Sequence, residues 1–156
     1  MSFDRGPAQG WGSSGYEPSA DAAREVNAPP SIPPGFDSEE FLKGAKMIYT
    51  RLQTSWDTRN LEDIHQFTSP EVFEEIQRQA QEDPTPGKTE LLLITPKILE
   101  VRETEGQTVA SVLYDVMMRE NNTDMSRQVR EIWHFSRATG SPDAFWVLEG
   151  IQQVEG

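Results

Sequence analysis

The chain of 156 residues carries 14 basic and 26 acidic side chains, a formal net charge of −12, no cysteine and 35% hydrophobic residues. That suits one small domain with a tail and leaves no comfortable room for two. The charge repels phosphate backbones and anionic headgroups, so plain electrostatic binding to nucleic acid or to a membrane is not expected, whereas a basic partner is allowed.

Residues 1–35 hold 11 of the 22 Gly and Pro residues and only scattered apolar side chains, too few to bury a core. The stretch reads as a linker, flexible over Gly10-Trp-Gly-Ser-Ser-Gly15 and stiffer, polyproline-like, over Ala28-Pro-Pro-Ser-Ile-Pro-Pro-Gly35. The folded domain is expected over 36–156. Phe36-Asp-Ser-Glu-Glu-Phe41 is a dense helix start: Asp37 caps the free amides, Glu40 reaches back, Phe36 staples onto Phe41, and the helix begins at Ser38. Phe41, Ala45, Ile48, Leu52 and Trp56 then recur at four- and three-residue spacing, an apolar stripe of about five turns. Asn60 caps a short helix with Leu61, Ile64 and Phe67 inward. Ser69-Pro70 opens a third helix that turns Phe73, Ile76 and Ala80 inward and ends at Asp83-Pro-Thr-Pro-Gly87.

Beyond residue 88 the period changes. Runs rich in β-branched and aromatic residues at about 91–103, 107–119, 127–138 and 145–154 are separated by Glu105-Gly106, Asn121-Asn122 and Gly140-Ser-Pro-Asp143, which predicts four antiparallel strands. Pro96 places the first strand at an edge or a bulge. Both alternating sets of the second strand are partly apolar, as when both faces of a curved sheet are covered. The expected class is α+β, three N-terminal helices packed on a strongly curved four-stranded antiparallel sheet. No aliphatic run approaches a membrane span, and Met1-Ser-Phe-Asp lacks a signal-peptide pattern, so the chain itself is expected to be soluble.

That order resembles the cone-shaped, cystatin-like fold of nuclear transport factor two. Gly35-Phe-Asp-Ser-Glu-Glu-Phe-Leu-Lys-Gly-Ala-Lys46, Val129-Arg-Glu-Ile-Trp-His-Phe-Ser-Arg137 and Trp146-Val-Leu-Glu-Gly-Ile-Gln152 narrow it, because these strings resemble bacterial domains similar to Tim44, the mitochondrial import-motor tether. Leu61 through Phe73 matches in type. The resemblance implies a noncatalytic adaptor with an apolar groove, held near a bacterial inner membrane by an upstream anchor, if one exists. Its partners would be inner-membrane or chaperone and translocation proteins, with an apolar ligand, a lipid or a homodimer as further options. Relatives commonly carry a membrane span and a Gly-rich stretch upstream, and the linker fits such a tether.

The same cone also serves small isomerases and hydro-lyases acting on hydrophobic molecules, which is the alternative reading. Its candidates are Tyr114, Asp115, Glu131 and His134. Tyr114 and Asp115 are strand neighbours and point to opposite faces, and His134 alternates with Trp133 and Phe135. No catalytic set is therefore expected. Two histidines without a His-x-x-x-His pattern make a metal site improbable, and residues 6–15 lack the ending of a phosphate loop, so no cofactor is expected either. Trp133, Phe135 and Trp146, with Leu148 and Ile151, form core and the wall of a groove, joined from the helices by Trp56 and Phe73. Arg137 shares their face, where it can stack on a ring and pair with a carboxylate such as Glu131. Met117 and Met118 present one adaptable side chain to each face, so Met117 completes the expected groove set. The acidic Glu71, Glu74, Glu75, Glu82 and Asp83 along the third helix form a solvated face able to meet a basic partner.

Overall fold

The computed structural model describes residues 30–121, 123–140 and 145–154. The expected linker therefore lies outside the described residues up to position 29, as do position 122 and most of the turn expected at 140–143. The described residues form helices α1 (Ser38–Asp57), α2 (Leu61–His65) and α3 (Pro70–Glu82), followed by strands β1 (Thr89–Thr104), β2 (Gln107–Glu120), β3 (Arg127–Ala138) and β4 (Val147–Gln153). The strands pair antiparallel in the order β1-β2-β3-β4. The fold is α+β, with the helices before the sheet.

Each helix start follows from its cap. The Asp37 carboxylate accepts the Glu40 amide at 3.1 Å, and the Phe36 and Phe41 rings meet at 5.5 Å, closing the staple. Asn60 accepts from Asp63 N–H, and Ser69 accepts from Val72 N–H. Between α1 and α2 the two caps merge. Arg59 N–H bonds to Trp56 O and Asn60 N–H to Ser55 O, a Schellman closure, with Arg59 held at a φ of 57° where glycine is usual. The Arg59 guanidinium offsets that strain by lying 4.0 Å over the Trp56 ring and bonding to Trp56 O and Asp83 O.

The inward stripe of α1 differs by one residue from the expected one. Tyr49 is fully buried, while Ile48 is only half-buried and looks into a pocket. The positions 41, 45, 49, 52 and 56 follow the helical period as well as the expected set does. In α3 the inner face is Val72, Ile76, Gln79 and Ala80. Phe73, expected inward, is half-buried: it packs against the edge of the core and stacks on His65 at 4.2 Å, while Val72 is the fully buried residue.

Residues of even number in β2 (Ala110, Val112, Tyr114, Val116, Met118) face the helices, and Leu113 joins Leu99 and Ile132 in a smaller cluster on the opposite face. Both faces therefore bury apolar side chains. Pro96 lies on the edge strand between two register shifts, at Leu91/Leu93 and Ile98/Glu100. The β1–β2 hairpin turns on Glu105 and Gly106, both at positive φ, the mirror-image turn that suits the strand twist. Each sheet edge receives one further pairing. Ser31 bridges β1 through Leu99 O and Val101 N, and Thr68 bridges β4, with Leu148 N–H bonding Phe67 O and Ser69 N–H bonding Leu148 O.

The end of α1 is latched to the start of the sheet. The Asp57 carboxylate accepts Thr89 N–H at 2.8 Å and Thr89 Oγ1 at 2.9 Å, and its backbone oxygen accepts Gly87 N–H. Asp57→Ala removes the acceptor that Thr89 N–H and Oγ1 share in a part-buried site and is expected to lower the unfolding free energy by about 1–3 kcal/mol, read by urea denaturation; an unchanged midpoint would show that the latch contributes nothing.

Candidate functional site

The first two turns of α1 lie over the ends of β3 and β4 without filling the space between them. Phe41 packs edge-on against Trp146 at 5.1 Å and Phe135 at 6.4 Å, and Phe67 meets Phe145 at 5.6 Å. Between these rings is a pocket of about 490 Å³, within the range of small-ligand and side-chain sites. Phe36, Gly44, Ala45 and Ile48 complete its helix side. Gly44 lies on that side, and no atom outside its own stretch of helix comes within 4 Å of where its Cβ would stand. Phe67 reaches the pocket because the Thr68 bridge fixes its backbone to β4.

Charge at the mouth is sparse. Asp37 and Glu40 stand on the helix wall, where Asp37 is occupied as the cap. Arg137 stands on the sheet wall with its guanidinium 4.4 Å over the Trp146 ring. The expected pairing of Arg137 with Glu131 is not made, since the two are six residues, roughly 20 Å, apart along an extended strand. Glu131 is instead fully buried and accepts Trp133 Nε1 and Gln153 Nε2, each at 3.0 Å.

A family model described as the Tim44-like domain matches residues 22–153, most of the chain and all four strands. The chain belongs to the Tim44-like domain family. No match was found among curated proteins. The matched region of this Tim44-like domain begins fourteen residues before position 36, inside the stretch read as linker.

Of the seven side chains expected to form the groove, the Tim44-like domain brings Phe135, Arg137 and Trp146 together at the pocket. Trp56 and Trp133 are fully buried core residues that do not reach it. Phe73 packs on His65, and Met117, 37% exposed, stands on the opposite sheet face from the helix-facing Met118. Phe36, Phe41, Gly44, Ile48, Phe67 and Phe145 are among the pocket residues outside the expected groove set. The aromatic doublet Phe145-Trp146 and the Phe36–Phe41 staple were the signals that could have found them.

The four candidates for proton transfer are dispersed. Tyr114 donates its phenol to Ala45 O at 2.7 Å inside the core, and burial, with the Glu131 charge behind it, holds its pKa well above the usual range. Asp115 accepts from Gln128 and pairs with Arg130 on the other face. His134 is fully buried there too, sharing a hydrogen bond with Ser111 Oγ at 2.8 Å. Among the described residues no three His, Cys, Asp or Glu side chains converge as a metal site, and no helix is long and apolar enough to cross a membrane.

Burial pushes the His134 pKa down from 6.5 to about 4, against the Gln152 contact that raises it, with the Arg102 charge adding to the depression. Protonation therefore favours the unfolded chain. The stability His134 protects is complete above pH 6.5 and is lost as pH falls toward about 4, with a slope of up to about 1.4 kcal/mol per pH unit. His134→Gln is expected to flatten unfolding free energy against pH across that window relative to the parent; parallel curves would show that the imidazole titrates normally.

Proposed function

We propose that this Tim44-like domain is a noncatalytic binding module of a bacterial inner-membrane-associated protein, and that it receives an apolar segment of a protein partner in the pocket under α1. The observation that carries this reading is the aromatic pocket of about 490 Å³, whose rim residue Phe145 is 68% exposed. An apolar concavity left open between aromatic rings is a surface suited to a partner or ligand. Family membership supports a protein-binding role related to membranes or translocation. Tyr114, Asp115, Glu131 and His134, the candidates for proton transfer, do not line the pocket, which supports a binding role over an isomerase or hydro-lyase. Inner-membrane or chaperone and translocation proteins are the partners this reading favours, and the acidic net charge disfavours nucleic acid.

Gly44→Leu tests it. The new side chain has open space at its Cβ on the pocket's helix wall, and replacing a helical glycine favours the helix by up to about 1 kcal/mol. The melting temperature should stay equal or rise. Inner-membrane or translocation proteins crosslinked from native membranes through a photoreactive residue at position 145 should fall at least tenfold. Undiminished recovery of the same proteins by the variant would remove the pocket from the function.

A further inference from the structure

Eight arginines are among the described residues, and seven lie within 4.0 Å of a carboxylate: Arg51 with Asp63, Arg59 with Asp83, Arg78 with Glu74 and Glu75, Arg102 with Glu100, Arg119 with Glu90, Arg127 with Glu120 and Arg130 with Asp115. Arg137 is the exception, in a chain where acids outnumber bases by 26 to 14. It is also the arginine at the mouth of the aromatic pocket. A guanidinium stacked by its face on a ring keeps its in-plane N–H fork free for a planar anion. The guanidinium rests on the Trp146 ring, packed in turn on Phe41, and the β2–β3 pairing of Thr108 with Arg137 fixes the backbone from which it extends.

We propose that Arg137 is the anion subsite of the pocket and that the ligand is the C-terminal residue of a partner polypeptide, its bulky apolar side chain between the rings and its α-carboxylate on the guanidinium. The inference rests on the proposed binding role and names the end of the partner that enters. Three features select a chain terminus. First, the anion has to sit beside the apolar group, because the guanidinium is only 4.4 Å from the pocket wall. A terminal residue carries both on one Cα. In an extended internal segment the neighbouring acidic side chain points to the opposite side, and the next one on the same side is about 7 Å away. Second, a net charge of −12 and the Asp37 and Glu40 carboxylates on the facing wall repel a segment with several anions, so the favoured ligand brings a single negative charge. Third, an open pocket walled by edge-to-face rings matches a compact branched or aromatic side chain more closely than a long straight chain.

The experiment uses the full 156-residue chain and the set of hexapeptides acetyl-Gly-Ser-Gly-Ser-Ala-Xaa, with Xaa the bulky apolar residues, each as free acid and as C-terminal amide, titrated by calorimetry at neutral pH. At least one free acid should bind tenfold or more tightly than its amide. Arg137→Gln should abolish that preference while changing the amide's affinity less than threefold, and Arg137→Lys should keep part of it, since the charge remains but the fork does not. Equal affinity of acid and amide, or a preference that survives Arg137→Gln in a variant that melts normally, would overturn the carboxylate assignment and leave the pocket reading intact so long as Gly44→Leu abolishes binding of both. Binding insensitive to Gly44→Leu, or no binding by any peptide, would overturn both. Decanoate binding more tightly than every free-acid peptide would overturn the polypeptide terminus in favour of a fatty acyl ligand.

Discussion

Tyr49 on α1 stacks on Trp133 of β3 at 4.8 Å, and Tyr114 of β2 touches both rings at 4.8 and 5.0 Å. All three are fully buried, and the Tyr114 phenol reaches up to Ala45 O, one turn of α1 before Tyr49. Burying rings of this size removes a large apolar area from water, and their faces accept only a few arrangements. The helix is thereby pinned in height and in rotation at its middle, and the Asp57 latch fixes its far end. What remains is its first two turns, which follow the helix direction away from the ring stack. They cannot descend onto the sheet unless α1 bends. The pocket is the space beneath those turns of a helix that is fixed elsewhere.

Polar groups in the interior obey the same geometry. Glu131 enters the helix-facing side of the sheet among aromatics and is tolerated because Trp133 Nε1 and Gln153 Nε2 both donate to it. Its charge, after burial itself, raises the pKa of both tyrosines, so both stay neutral, and of the two phenols it is that of Tyr114 that donates a hydrogen bond, to Ala45 O. On the surface, Asp63 binds Arg51 through two nitrogens and also accepts from Ser55, and those bonds hold its carboxyl below the usual range. That network ties α2 to α1 and carries Arg51 over Phe67, so the ion pair also braces one ring of the pocket.

Local physics made the elements legible. Capping residues mark the start of α1, α2 and α3, and the change from a helical to an alternating period after residue 88 marks the sheet, with all four strand positions close to those observed. The pocket was legible only on its sheet side, where alternation in β3 puts Trp133, Phe135 and Arg137 on one face and His134 on the other. Periodicity says which way a side chain points and not how far along the strand a neighbour sits. For that reason Trp133, beneath Tyr49, was grouped with Phe135 and Trp146, which lie beyond the pinned part of the helix. Phe67 and Gly44 were out of reach for another reason. The first depends on a bridge between residues eighty positions apart, Thr68 and Leu148, and the second on a space that other elements leave.

The corner at Arg59 and Asn60 has a consequence for how chains of this kind can vary in length. Asn60 closes α1 through its backbone amide and opens α2 through its side chain, so one residue caps both helices and only Thr58 and Arg59 separate it from the last residue of α1. An insertion or deletion would break two helix ends at once and turn the Arg59 guanidinium away from both Trp56 and Asp83. At the tip of the β2–β3 hairpin, Thr123 to Ser126 are exposed. Length polymorphism in related sequences should therefore collect at that tip and leave the corner at a constant count, with the left-handed site drifting between Arg and Gly and not in length.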